Sequence, residues 1–289
     1  MIKDLIYYWK VLTQKKKMTK RIIYFYPWGK ELSNFYRNHS YLSTKVYEFP
    51  ELLKKLNRPY LSINFKNKKK IELLKGSYEW IDQNFPLDKK KELYEEGKSN
   101  LSNFIGKNDS DFKITLEIYH GCNREGELQL QLLNDDNILI SKLTFGISKN
   151  DIYIGGLQGI SPEVNFDILK EATKNIYGQR PQRIILEALY MLKKKSGLSG
   201  EVYGILGKYH LYSHPRYNEA KNKAERDNAI LNGYDKLWES VGAVKIKGDF
   251  YVLPKILERK NMEDIPSKKR SNYRKRYELL DSIEINWEI

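Results

Sequence analysis

Residues 152–159 read Ile-Tyr-Ile-Gly-Gly-Leu-Gln-Gly, an apolar strand running into a turn with three glycines and one amide, Gln158. Glycine at such a point permits a left-handed backbone or lets another segment or a ligand come close. About twenty residues on, Pro181 opens a helix, because its fixed φ suits a first helical turn. A sheet end, a glycine turn and a helix N-terminus together define one wall of a pocket, or else a plain crossover.

The segments before this point fix the fold class. Residues 112–119 and 127–133 alternate apolar and polar side chains, as half-buried strands do, and 138–147 and 151–157 read as two further strands. Short polar links such as 134–137 join them, so an antiparallel meander is expected. Helical spacing marks 163–177, 182–196, 227–241 and 266–283, with strands at 201–206 and 243–253. Residues 1–107 read as mostly helical, with helices at 69–84 and 88–99. Between the early helices, Arg58 to Asn64 looks extended, since Pro59 biases Arg58 away from the helical region. The expected fold is α+β: a helical N-terminal region, 1–107, packed on a mixed, mostly antiparallel sheet with flanking helices, 108–289.

Charge bears on partners. The net charge of +14 attracts phosphate, whether on nucleic acid, anionic lipid or a cofactor. The densest basic run is Lys268 to Arg276, interleaved with Tyr273 and followed by Tyr277. No nucleic-acid-binding motif accompanies it, so a solvated or membrane-facing helix stands beside the nucleic-acid reading. Leu5, Trp9 and Leu12 recur at helical spacing beside Lys10 and Lys15 to Lys17. They make either a core-packed helix or one lying on an anionic membrane. No apolar run is long enough to span a bilayer, and the start lacks the order of a secretory signal. A cytoplasmic protein, peripheral at the inner membrane in the second reading, is expected. A single cysteine, Cys122, and four scattered histidines suggest no metal site.

Several residues carry candidate chemistry. Glu125 and Glu127 flank Gly126 at a strand start, and their spacing puts both on one face of a strand. Glu127 is then a candidate base, or one of two solvated carboxylates. Gln158 either binds a substrate amide or carbonyl or ties the turn to its neighbours. His210, just past a strand, is either a proton shuttle or a packed residue. Arg183 meets a phosphate bidentately or pairs with Glu187 one helical turn on.

The chain resembles the VirK/YbjX family of bacterial proteins. The resemblance rests on Arg58 to Leu61, Glu125 to Leu128, Leu143 to Phe145, Ile154 to Gly159 and Pro181 to Ala188. It continues through His210 to Tyr212, Tyr234 to Trp238, Tyr251 to Pro254 and Ile265 to Asp281. It implies a factor for envelope integrity, antimicrobial-peptide tolerance or virulence, with no settled reaction. From residue 125 onward the order of elements also resembles the GNAT acyltransferase plan. That resemblance implies a phosphate-bearing acyl donor, acyl-CoA or an acyl carrier, held near Gly155, Gly156, Gly159, Gly178 and Arg183. His210, Glu127 and Gln158 are then the catalytic candidates. The superfamily's Gln/Arg-x-x-Gly-x-Gly/Ala loop is absent, and Pro181 removes one backbone donor. The other reading is a non-catalytic accessory protein on the membrane surface.

Overall fold

The structure is a computed structural model. It describes residues 26–44, 55–118, 124–159, 162–215 and 233–285, with isolated positions 16, 19, 20, 23 and 53. The amphipathic stretch around Leu5 to Lys17, apart from Lys16, and Cys122 lie outside the described residues, as does the first part of the helix expected at 227–241.

Eight strands form one open sheet. They are β1 (Lys98–Ile105), β2 (Asp111–Ile118), β3 (Leu128–Leu133), β4 (Leu139–Ser148), β5 (Asp151–Gly159), β6 (Val202–Ile205), β7 (Lys245–Lys247) and β8 (Phe250–Val252). Their spatial order is β1-β2-β3-β4-β5-β6-β8-β7. Every pairing is antiparallel except β5 with β6. The fold is α+β with a mixed, mostly antiparallel sheet. Strands β2 to β5 form the antiparallel meander that was expected, and β1 joins it through a short connection.

The central strands are buried on both faces. Helix α1 (Trp28–Asn38) packs on α2 (Asn67–Asn84), and α2 lies across β4. The approach is close: a β-carbon at Gly76 would sit 2.5 Å from the Ile147 carbonyl oxygen. Ser77 Oγ accepts the Ile147 N–H at 3.0 Å, so the helix completes a strand hydrogen bond. After the helical turn α3 (Leu87–Lys91), the other face is covered by α4 (Pro162–Asn175) and α5 (Pro181–Lys195). A helix described over 233–240, α6, and α7 (Ser267–Ser282) complete the element set.

Three expectations need correction. The end of the stretch read as helical is β1, which pairs with β2 and belongs to the sheet. The single strand expected at 243–253 is a hairpin, β7 and β8, turning at Gly248 with φ +61°. Arg58 to Asn64 is not uniformly extended: Leu61 is left-handed at φ 57°, fully buried, and donates its N–H to Arg124 O at 2.7 Å.

The basic run of α7 is partly internal. Arg276 Nε donates to Tyr177 O at 2.6 Å and its Nη2 to Gly178 O at 3.1 Å. The carbonyls after α4 are thus satisfied by a side chain from a later helix. Leu279 and Leu280 bury the apolar side of α7.

Candidate functional site

The three glycines lie inside β5, not in a turn after it. None has a left-handed backbone, and each makes room for a polar group instead. A β-carbon at Gly155 would meet Glu125 O at 2.0 Å, and one at Gly156 would meet the Glu125 carboxyl carbon at 2.9 Å. At Gly159 it would meet Gln182 Nε2 at 2.7 Å. The loop that leads into β3 therefore lies flat across β5 and delivers the Glu125 side chain to the sheet surface.

Strands β5 and β6 pair only over Ile152 to Ile154 against Val202 to Gly204. Beyond that point β5 runs on alone along this edge. The Leu157 N–H donates to the Tyr234 hydroxyl of α6 at 3.3 Å. Helix α6 is seated there by Trp238, whose Nε1 donates to Ile205 O at 2.8 Å. Its ring occupies the space above Gly204, where a β-carbon would lie 2.5 Å from the indole. Asp235 Oδ1 accepts the Gly207 N–H at 2.9 Å and fixes the turn that leads to His210.

A cavity of about 400 Å³ opens where the strands part. Leu157, Gln158, Gln182, His210, Tyr212 and Tyr234 line it, with Arg180 and Lys236 as its cations. Glu125 organises its floor. Gln158 Nε2 donates to Glu125 Oε1 at 3.2 Å, and His210 Nε2 lies 3.1 Å from the same oxygen. The His210 Nδ1 accepts the Tyr212 N–H at 3.3 Å. A ring nitrogen that accepts carries no proton, so the neutral imidazole holds its proton on Nε2 and donates it to Glu125. The imidazole is fully buried and stacks on Tyr234, with centroids 5.1 Å apart. Burial, and then the charge of Glu125, pushes the Tyr234 phenol above its ordinary range. It stays protonated across the physiological range and can donate a hydrogen bond.

The structure brings His210 and Gln158 together and sends Glu127 elsewhere. Glu127 is fully buried, ion-paired with Lys55, and accepts the hydroxyls of Tyr60 at 3.0 Å and Tyr78 at 2.9 Å. Burial, and then Glu127, pushes both phenols up. The expected shared strand face for Glu125 and Glu127 does not form, because both precede β3 and reach different partners. Gly178 and Arg183 line a second hollow of about 460 Å³, which shares Arg180, Gln182 and Leu237 with the first. Within it Arg183 pairs with Glu187 at 2.6 Å, and Arg276 fills the space above Gly178.

Tyr234, Tyr212 and Lys236 were missed from sequence. Tyr234 sits one helical turn before Trp238, a spacing that puts two aromatics on one side of a helix. That signal was present but indistinguishable from ordinary core packing.

Comparison with known proteins gives a family. The chain is 30% identical to the uncharacterized protein YbjX of Escherichia coli strain K12, over 89% of this chain and 76% of that protein. Two uncharacterized proteins of Haemophilus influenzae strain Rd are 34% and 33% identical, and the alignments span 57% and 55% of their lengths. No solved structure matches. Residues 8–288 match the model of a family described as protein of unknown function, DUF535. By that match and by its likeness to YbjX, the chain belongs to the DUF535 family.

Proposed function

We propose that the chain is an acyltransferase-like enzyme that moves an acyl group from a phosphate-bearing thioester, acyl-CoA or an acyl carrier, to an envelope component or its precursor. The observation that carries the reading is the parting of β5 and β6 beside the α5 N-terminus. A parallel pair that opens after three residues leaves the β5 backbone facing a cavity instead of a neighbour. The end of α5 beside it has no side-chain cap, and Arg180 stands at its N-cap position. Helix dipole and cation together favour an anionic ligand there. The strand order, with β8 inserted between β6 and β7, supports a GNAT-like plan.

The chemistry follows from the residues at the cavity. An amine or hydroxyl of the acceptor attacks the thioester carbon, and the C–S bond breaks. The acceptor's proton passes to His210 Nδ1 as the Tyr212 contact yields, while Glu125 stabilises the imidazolium through Nε2. The Tyr234 hydroxyl donates a hydrogen bond to the departing thiolate, which takes the proton that the acceptor gave to His210. Gln158 holds Glu125 in place and offers its own amide to the acyl carbonyl. Positioning supplies much of the rate in such a site.

The test is a panel of thioester donors, short- and long-chain acyl-CoA and acyl carrier, against the purified chain. One donor class should raise the melting temperature saturably and release free thiol with a suitable acceptor. Tyr234→Phe should bind that donor and release thiol more slowly. Absence of saturable stabilisation by every donor refutes the reading.

A further inference from the structure

We propose that the β7–β8 hairpin and the segment just after it form a docking surface for an anionic lipid bilayer. Three large aliphatic side chains stand in solvent within thirteen residues of one another at this end of the sheet. Val244 is 93% exposed, Ile256 76% and Ile246 54%. Ile246 is the middle residue of β7, and Val244 stands just before the strand. Ile246 is opposite Tyr251, whose hydroxyl donates to Glu239 of α6, so its face is the one that carries the helices. Pro254 and Ile256 follow β8 on the same side, since Tyr190 of α5 donates to Pro254 O and Ile256 borders α5 beside Tyr190 and Met191.

Cations stand beside these aliphatics: Lys255 precedes Ile256, and Lys194 is exposed at the end of α5. Lys245 and Lys247 flank Ile246 on β7 but point to the other side of the strand. Lys247 is partly engaged, donating to Tyr203 Oη at 2.8 Å and standing 3.7 Å from Glu201. Exposed aliphatics with ammonium groups beside them match the interface of a bilayer with negative headgroups. The aliphatics enter the acyl boundary while the lysine stems reach back to the phosphates. A second copy of the chain is the poorer occupant. The strand β7 is three residues long, and edge-to-edge pairing would oppose lysine to lysine.

This surface is separate from the cavity between β5 and β6 and does not depend on the acyl-transfer reading. The experiment is co-sedimentation of the full chain with vesicles of phosphatidylcholine alone or mixed with phosphatidylglycerol. The expected result is binding only to the mixed vesicles, weakened by added salt. The double variant Val244→Asp with Ile246→Asp should lower the bound fraction several-fold. Lys194→Ser with Lys255→Ser should lower it as well, and Phe166→Asp, an exposed apolar residue elsewhere, should not. All the altered side chains are exposed, and melting curves check that the variants fold. Equal binding of native and hairpin variants overturns the proposal, because another basic segment would then hold the membrane. So does failure of the native chain to bind. A native dimer that Val244→Asp with Ile246→Asp dissolves assigns the face to a second copy and overturns it too.

Discussion

Glu125 Oε1 lies 3.1 Å from His210 Nε2, although 85 residues separate the two in sequence. The contact is buried, and the same oxygen also accepts from Gln158. Neutral His210 should therefore carry its proton on Nε2, which long-range ¹⁵N–¹H correlation spectra report directly. Glu125→Gln removes the charge and keeps an acceptor. It should leave donor binding intact, slow acyl transfer, and cost on the order of 1–3 kcal/mol of stability. A His210 proton on Nδ1 in the native chain would contradict the geometry.

The glycines of β5 should respond in a graded way. A methyl at Gly155 strikes backbone, 2.0 Å from Glu125 O, and nothing flexible can yield. At Gly156 it strikes the Glu125 carboxyl group at 2.9 Å, and at Gly159 the mobile end of Gln182 at 2.7 Å. Gly155→Ala should cost most, beyond the usual overpacking range of about 1–3 kcal/mol. Gly156→Ala should fall within that range and displace Glu125, and Gly159→Ala should cost least. Urea denaturation of the three variants gives the order, and a reversal of the first and last would disprove the packing described.

Much of this fold was legible because its signals are local. Alternation over 112–133 and the polar turn at 134–137 identified the meander, and Pro181 identified the start of α5, since these patterns depend on neighbours in sequence. What failed was long-range. The glycines of β5 looked like turn residues because glycine's usual reason is backbone freedom. Their actual reason is close approach of distant groups: the Glu125 backbone and carboxyl group at Gly155 and Gly156, and Gln182 at Gly159. Glu125 and Glu127 differ by two positions, and nothing local shows that one meets His210 and the other Lys55. The β7–β8 turn was overlooked because Lys247 and Gly248 continue an alternating run until Gly248 turns left-handed. Arg183 reads equally as a phosphate ligand or as a partner of Glu187, and Arg276 as part of a solvated or membrane-facing helix. Glu187 and the carbonyls of Tyr177 and Gly178 claim them.

The Lys55–Glu127 pair is fully enclosed, with Tyr60 and Tyr78 donating to the same carboxylate. Removing one ion leaves the other charged and without its counter-ion in a dry interior, a loss of about 3–5 kcal/mol. Lys55→Met should show that loss. Glu127→Gln retains an acceptor for the tyrosines and leaves the ammonium stranded. The double variant strands no charge, so its cost should fall clearly below the sum of the two. Chemical denaturation of the four proteins completes the cycle. Simple additivity would show that the two groups do not interact as the structure has them.

Lys70 makes stability depend on pH in a defined window. Its ammonium donates to Leu56 O at 3.3 Å and Arg58 O at 2.6 Å, and burial pushes its pKa from 10.5 down to about 8. Below about pH 8 both folded and unfolded chains carry the proton, and the desolvation penalty is fully present. Between about 8 and 10.5 the unfolded chain binds more protons than the folded one, so the unfolding free energy rises with pH. Across that window the gain is at most about 3 kcal/mol. Lys70→Met cannot titrate. The native protein should therefore gain on the variant as pH rises from about 7 to about 10, a comparison in which other lysines and tyrosines cancel. Urea unfolding of both proteins at the two pH values measures the change. A difference that stays constant, or moves in the variant's favour, would mean that Lys70 keeps an ordinary pKa in the folded chain.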